Sequence, residues 1–503
     1  MINRTVRLDD LQSVLGSDHE CFLSSASSKT AAVLTDVFLD SREVSAGSVF
    51  MALPGAELNG EDFVEDAIQR GAVVIIADKG VCQRLSASHK NVTFISVKNP
   101  RALVGTIADL FYPEKPKTLV AVTGTNGKSS VVDFIRQLWT LLGIKAASLG
   151  TIGTLFEGER LSYGLTTMDA LALRKEFALL VEKGVTHVAM EASSHGLDQQ
   201  RLCGIEVDIS AFTNISHEHL DYHKNFKNYL DAKLMLFKKH TKKQGYAVLN
   251  ADCAQIKAIK AACGQQRIVL FGRNGQDLCI EKIEFVDNLQ RLFVRFFGRQ
   301  YQIELPLMGW FQGYNVVCAI GVIIAGFSPD ERHEKLEALI KLAKHLKPVP
   351  GRLEKAGSYN GANIYVDFAH TPDSLEAVLK AVRHQTDQRI CVVFGCGGNR
   401  DSTKRKLMGE IAENAADYVI ITDDNPRFED PEKIRKAIKR YCPKAHEIGD
   451  RHLAIRQAIM DLNPGDVLVI AGKGHETGQI RGNQVLPFSD VIAVQSVLEE
   501  VNK

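Results

Sequence analysis

The stretch TLVAVT (Thr118 to Thr123) followed by Gly124-Thr125-Asn126-Gly127-Lys128-Ser129-Ser130 constrains the fold more than any other part of the chain. An apolar strand runs straight into a glycine loop, and Val131, Ile135, Leu138 and Leu142 then recur at helical spacing. Glycines let a backbone bend until its N–H groups face an anion, and the N-terminus of the next helix adds positive potential. Lys128 is then set to reach the terminal phosphates of a nucleoside triphosphate, and the Ser129 hydroxyl to ligate Mg²⁺. The loop nearly meets the familiar GxxxxGK[ST] spacing, lacking only its first glycine. A plain glycine turn is the bland alternative, and the well-placed Lys-Ser pair argues against it.

Around this unit the chain divides at two proline-bearing segments, FYPEKPK (Phe111 to Lys117) and LKPVPGR (Leu346 to Arg352). A chain of 503 residues accommodates about three domains, and the cuts predict them at 1–115, 116–346 and 347–503. In the first, Ser48 to Leu53 and Val73 to Ala77 read as buried strands. In the third, Ile364 to Ala369 reads as a strand and Thr371-Pro372-Asp373 as a capped helix start. Leu375, Val378, Leu379 and Val382 mark that helix's buried face. CVVFG, YVIIT and VLVIAG follow between helical patterns. Such alternation predicts an α/β chain: an N-terminal α/β domain, a central P-loop domain with a mostly parallel sheet, and a C-terminal Rossmann-like domain.

Lys plus Arg number 61 and Asp plus Glu 60, so no global field exists to hold nucleic acid or a membrane surface. The opening MINRTVRLDD has no apolar run of signal-peptide length, and no run reaches membrane-spanning length. Ten cysteines are scattered without CxxC pairs, as reduced packing residues would be. The expectation is a cytoplasmic monomer without nucleic-acid partner or membrane insertion.

The variant TGTNGKSS resembles the phosphate loop of the ATP-dependent Mur ligase family, whose members join amino acids to a carboxylate. Further motifs carry the resemblance along the chain in order: MEASSHGLDQQR, FTNISHEHLDYH, YLDAKLMLF, VLNAD, VPGRLE, YVDFAHTPDSL, FGCGGNRD, TDDNPR and GKGHE. The resemblance implies that ATP converts the terminal acid of UDP-MurNAc-L-Ala-D-Glu into an acyl phosphate, which meso-diaminopimelate captures. It implies ATP binding by Gly124 to Ser130, with Asn315 at the adenine, Arg352 at the γ-phosphate and Asp367 at the ribose. Mg²⁺ would be held by Ser129, Glu191, His219 and Lys233, the last as a CO₂-derived carbamate; Lys128, Glu191, His219 and Lys233 form the catalytic set. The UDP-substrate would meet Leu39, Ser41, Ala56, Glu57 and Leu58 in the first domain, and Thr166, Thr167, Ser193, Gln199 and Arg201 in the second.

Asp424-Asn425-Pro426-Arg427 follows the strand YVIIT, at the sheet edge where open α/β folds bind ligands. A distal carboxylate on the incoming amino acid calls for a planar guanidinium, which Arg427 supplies. The resemblance adds Arg400, Asp424, Asn425, Pro426, Gly472 and Glu476 to that site. Bland alternatives stand beside these readings: a sheet-end salt bridge for Glu191, a solvated helix face for Lys233, a linker surface for Arg352, and pairing with Asp423 or Glu429 for Arg427. The chain departs from the family pattern at His217-Glu218, where Arg-Asp is usual, and at Asn59, Met168, Asn399 and Lys406. Rival functions are an L-lysine-adding ligase, a folylpolyglutamate synthase, which shares the phosphate loop, and a catalytically silent nucleotide-dependent binding module.

Overall fold

Three large sheets, beside two two-stranded ones, follow one another along the chain in the computed structural model, which describes residues 5–15, 19–22, 33–55, 59–162, 165–286 and 289–501. The first has five strands, in the spatial order His19–Phe22, Thr93–Val97, Ala72–Ala77, Ser48–Met51 and Val37–Phe38. All pairs are parallel except the His19–Phe22 edge. The two strands read from the sequence are there, although the first stops at Met51.

The middle sheet has eleven strands. Its centre is the phosphate-loop strand Thr118–Thr123, flanked in parallel by His187–Glu191 and Val207–Phe212. Strands buried on both faces read as near-continuous apolar runs, as Leu119 to Val122 and Val188 to Met190 do, while Asp208 and Ser210 interrupt Val207–Phe212. Their carboxyl ends deliver the glycine loop, Glu191 and Thr213 to one edge. The loop helix Lys128–Leu141 packs Val131, Ile135 and Leu138 at 0% exposure between the sheet and the apolar helix Trp310–Ala325.

The expectation of a mostly parallel sheet holds for six inner pairings, while four outer ones are antiparallel. The antiparallel additions include two tight hairpins, turning at Glu157-Gly158 and Phe297-Gly298, where both turn residues have positive φ. Neither pair is the Asn-Gly or Asp-Gly signal that marks such turns in a sequence, so the alternation of strands and helices did not display them.

The last sheet has six strands, in the order Glu354–Tyr359, Ala362–Asp367, Val467–Ala471, Ile390–Phe394, Tyr418–Ile421 and His446–Glu447, parallel after the first pair. Thr371 caps the helix Pro372–Arg383 with a reciprocal Thr371–Ser374 box and proline in the first turn. Leu375, Val378, Leu379 and Val382 are all buried. The ten cysteines are free thiols, seven of them buried. Among the described residues, no helix is long and apolar enough to cross a membrane.

Candidate active site between the middle and last sheets

Gly124 and Gly127 adopt φ of 148° and 85°, which residues with side chains rarely do. A Cβ on Gly124 would lie 2.0 Å from Thr213 Oγ1, and one on Gly127 would lie 2.5 Å from Asn315 Oδ1. Gly124→Ala is therefore expected to cost about 1–3 kcal/mol of stability and to raise KM for ATP, read by denaturant unfolding and steady-state kinetics. The loop is braced from behind. Thr125 N–H donates to Asn214 O and Asn126 N–H to Asn214 Oδ1, each at 2.8 Å. These two N–H groups face Asn214, so an anion is left to the first N–H groups of the helix. Asn315 is buried, and its amide donates to Gln312 Oε1 at 2.9 Å.

Ser129 Oγ donates to Glu191 Oε1 at 2.8 Å, and Thr151 N–H donates to the same oxygen at 2.8 Å. Glu191 Oε2 is buried without a hydrogen-bond partner, a state that costs about 1–3 kcal/mol unless a positive group meets it. Glu191 is thus not tied up in a sheet-end salt bridge. Together with Ser129 it supplies the hard oxygen donors that Mg²⁺ takes, leaving further positions to phosphate and water.

Lys233 overturns the solvated-face alternative: on the helix Phe226–Met235 it is 1% exposed. Its Nζ donates to Gly124 O at 2.7 Å and lies 4.4 Å from the centre of the Tyr229 ring. Tyr229 OH in turn bonds Thr125 Oγ1 at 2.9 Å. Burial, reinforced by the like charge of Lys128, holds Lys233 well below the usual lysine range. Lys128 Nζ folds over the loop, donating to Gly124 O at 3.0 Å and Thr125 O at 2.7 Å. Its pKa is also lowered by burial.

His219, with φ of 56°, lies beside this group, and burial brings its imidazole down to about 3, so it is neutral, as a metal ligand must be. Its ring meets that of His195 at 4.6 Å, and His195 also touches Tyr222 at 4.3 Å. His217 points away into an exposed contact with Phe226 at 5.3 Å. Among the described residues, no three His, Cys, Asp or Glu side chains gather where they could hold a metal ion. The donors at hand are a serine, a glutamate, a histidine and a lysine.

The last sheet closes over this edge. Arg352 Nη2 donates to Ser129 Oγ at 3.1 Å, so Arg352 is no free linker arginine. Its guanidinium stacks 4.4 Å from the Phe368 ring centre. Asp367 accepts the backbone N–H of Leu353 and Ala369, each at 2.7 Å, which anchors the chain around Arg352. His370 Nε2 meets Glu218 Oε1 at 3.1 Å across the gap. Burial opposes the charge of Glu218, yet the hydrogen bond to His370 and the charge of Lys128 hold its pKa well below normal.

On the side of the first sheet, Thr167 Oγ1 donates to Glu191 O at 3.0 Å and accepts the Ser193 N–H at 2.9 Å. Arg201 Nη1 donates to Thr167 O at 2.8 Å, and its Nη2 to Gln199 Oε1 at 2.7 Å. Thr166 Oγ1 accepts from Thr151 Oγ1 at 3.0 Å. Thr167, Ser193, Gln199 and Arg201 therefore form one hydrogen-bonded group adjoining Glu191, and Thr166 reaches the same glutamate through Thr151. Leu39 and Ser41 sit in the first sheet's region, just past the strand Val37–Phe38. Ala56, Glu57 and Leu58 lie outside the described residues.

Arg427, at φ of 53°, is half-buried. Neither proposed surface partner holds it: Glu429 is taken by Arg405 through two bonds of 2.7 Å, and Asp423 by Arg435 and Arg481. Arg427 Nη1 donates to Gly398 O at 2.9 Å. Burial, then the like charge of Arg400, pulls its pKa down, while Asp424 and Glu476 oppose this. Burial lowers the His195 pKa to about 4, and the charge of Arg400 adds to the shift. Gly472 is pressed against Asp424, since a Cβ there would lie 2.7 Å from Asp424 Oδ2. Pro426 is buried beside them. Asn399, at φ of 51°, accepts the Phe428 N–H at 3.0 Å, a turn role that an asparagine fills readily.

Three family models match this chain in order: "Mur ligase family, catalytic domain" over residues 34–112, "Mur ligase middle domain" over 122–323 and "Mur ligase, glutamate ligase domain" over 351–474. The chain belongs to the Mur ligase family. A UDP-N-acetylmuramoyl-L-alanyl-D-glutamate--2,6-diaminopimelate ligase of Bradyrhizobium diazoefficiens is 46% identical over 473 residues, covering 92% of this Mur ligase and 95% of the relative. One of the same description from Chelativorans sp. is 45% identical, covering 92% and 94%. A solved structure bearing that ligase name superposes with a TM-score of 0.67 at 30% identity, covering 99% of this chain and all of the other. As a Mur ligase the chain is an ATP-dependent acid–amino-acid ligase.

Sequence reasoning singled out neither His195, Tyr229 nor His370 at this site. Each lies inside a motif, but single aromatic and histidine residues carry no spacing signal of their own.

Proposed function

We propose that this Mur ligase adds meso-diaminopimelate to UDP-MurNAc-L-Ala-D-Glu with consumption of ATP. The observation that carries the reading is Arg427. It is a half-buried guanidinium without a carboxylate partner, paired in space with Arg400, beside the carboxylates of Asp424 and Glu476. Two cations next to two anions suit the distal end of a diaminopimelate, which is itself zwitterionic; a lysine side chain offers only the ammonium.

In this reading the dipeptide's terminal carboxylate attacks the γ-phosphorus of ATP and ADP leaves. The amine of the incoming amino acid then attacks the acyl carbon and phosphate departs. Lys128 and the helix N-terminus offset phosphate charge, and Arg352 supplies a further cation when the last sheet lies over the loop. The group around Thr167 and Arg201 orients the dipeptide end of the UDP-substrate next to Glu191. Ser129, Glu191, His219 and Lys233 would hold Mg²⁺, which when bound offsets charge between ATP and the acceptor carboxylate. The depressed pKa of Lys233 supports its modification: its neutral amine adds to CO₂, forming an N–C bond and releasing a proton, and the product is an anionic carbamate. Within the cell the reading is cytoplasmic, where its substrates are soluble.

The test is ADP release with ATP and UDP-MurNAc-L-Ala-D-Glu, supplied with either meso-diaminopimelate or L-lysine. Release is expected with diaminopimelate and only background with lysine. Equal turnover with lysine would remove the amino-acid assignment, and no release with either would leave a silent nucleotide-binding module.

A further inference from the structure

Lys473 has no exposed side-chain surface at all. An ammonium withdrawn from water must be met by acceptors on its enclosed side, and here the acceptors are site residues. Its Nζ donates to Glu476 Oε2 at 2.7 Å and to Asn425 Oδ1 at 3.1 Å. Asn425 Nδ2 donates to the same Glu476 Oε2 at 3.0 Å, which closes a triangle of three side chains. Ile480 N–H adds a second donor to Asn425 Oδ1 at 3.0 Å.

The triangle has a direction. Two donors converge on Glu476 Oε2, and the Glu476 side chain is 34% exposed, so its other oxygen is the one presented outward. Asn425 accepts from Lys473 and Ile480 through its oxygen and donates to Glu476 through its nitrogen, and so braces both members of the ion pair. Beneath the same loop a second enclosed cation, Arg451, is bound to Asp490 at 2.7 and 2.8 Å and donates to Ala471 O at 3.0 Å. Two enclosed cations, each paired with a carboxylate, thus underlie the loop that carries Glu476.

We infer that Lys473 is a positioning residue for amino-acid recognition: it fixes the rotamer of Glu476 so that one carboxylate oxygen faces the distal ammonium of the incoming amino acid. The inference rests on the diaminopimelate-adding function proposed above. An acceptor whose rotamer is locked by supporting contacts recognises a donor at one place and angle, whereas a free glutamate swings and loses that discrimination.

The experiment measures ADP release while each substrate is varied in turn, for the wild-type enzyme, Lys473→Met, Glu476→Gln and the double variant. Lys473→Met is expected to raise KM for meso-diaminopimelate by about tenfold or more, with kcat and the KM values for ATP and the UDP-dipeptide unchanged within about twofold. In the Glu476→Gln background the same substitution is expected to change little, because Lys473 acts through Glu476. An unchanged diaminopimelate KM in folded Lys473→Met, a parallel rise in all three KM values, or a full effect persisting in the Glu476→Gln background would each overturn the inference. If Lys473→Met does not fold, the double variant leaves no charge unpaired and carries the comparison with Glu476→Gln alone. A wild-type enzyme that ignores diaminopimelate would sink the parent function, whereas active wild type with an indifferent Lys473→Met would sink only the role of Lys473.

Discussion

Lys233→Ala is expected to lower kcat roughly 10²–10³-fold and to regain part of the loss when formate or acetate is added. Its amine is 1% exposed and held at Gly124 O, so the substitution deletes a group at the first residue of the phosphate loop. A surface lysine would leave no such trace. The small acid matters because the proposed carbamate is, to its neighbours, a carboxylate on a long stem, and a free carboxylate can occupy the same place once the stem is removed. Two controls separate this from damage to the loop. Denaturant unfolding checks that the variant is folded, and Lys233→Met fills the cavity without restoring an anion. Wild-type activity in Lys233→Ala, or a loss that no acid relieves in a folded variant, would remove the modified-lysine role.

Arg427→Ala is expected to weaken diaminopimelate use by roughly 2–5 kcal/mol, seen in its KM, the cost of truncating one partner of a buried charge pair. KM for ATP and for the UDP-dipeptide should stay near wild type, because the sites proposed for them lie around Lys128 and Arg201, away from the loop that carries Arg427. Arg427→Lys should recover little: an ammonium is a point donor and cannot make two parallel bonds to a carboxylate. A uniform rise in all three KM values would point to a collapsed loop instead, since Arg427 N–H and O also bond Ile480 and Gly482 through the backbone.

What the sequence disclosed was local in origin. The glycine loop, its strand and its helix were legible because eight consecutive residues carry both the bend and the chemistry. The Thr371-Pro372 helix start was legible for the same reason, its cap and its box lying within four residues. Lys233 was different. Its helix Phe226–Met235 has little amphipathic contrast, and what buries the amine is the phosphate loop, 109 residues away in sequence. His370 meets Glu218 across 152 positions, and Arg352 meets Ser129 across 223. Contacts of that reach leave no periodicity to read. Neighbouring letters do not decide the competition for Arg427 either: Asp423 and Glu429 stand close to it in sequence, yet Arg435 and Arg481 occupy the first and Arg405 the second.

The bond from Arg352 to Ser129 spans the two lobes at the hydroxyl expected to serve the nucleotide's metal. A shared hydroxyl makes the two events partners in one thermodynamic cycle. Whatever factor nucleotide binding applies to the docking of the lobes, docking must return to nucleotide affinity in full. Severing the tie with Arg352→Met would therefore change the factor that nucleotide applies to docking and the factor that docking applies to nucleotide by the same ratio, whereas two unrelated sites would have no such factor to change.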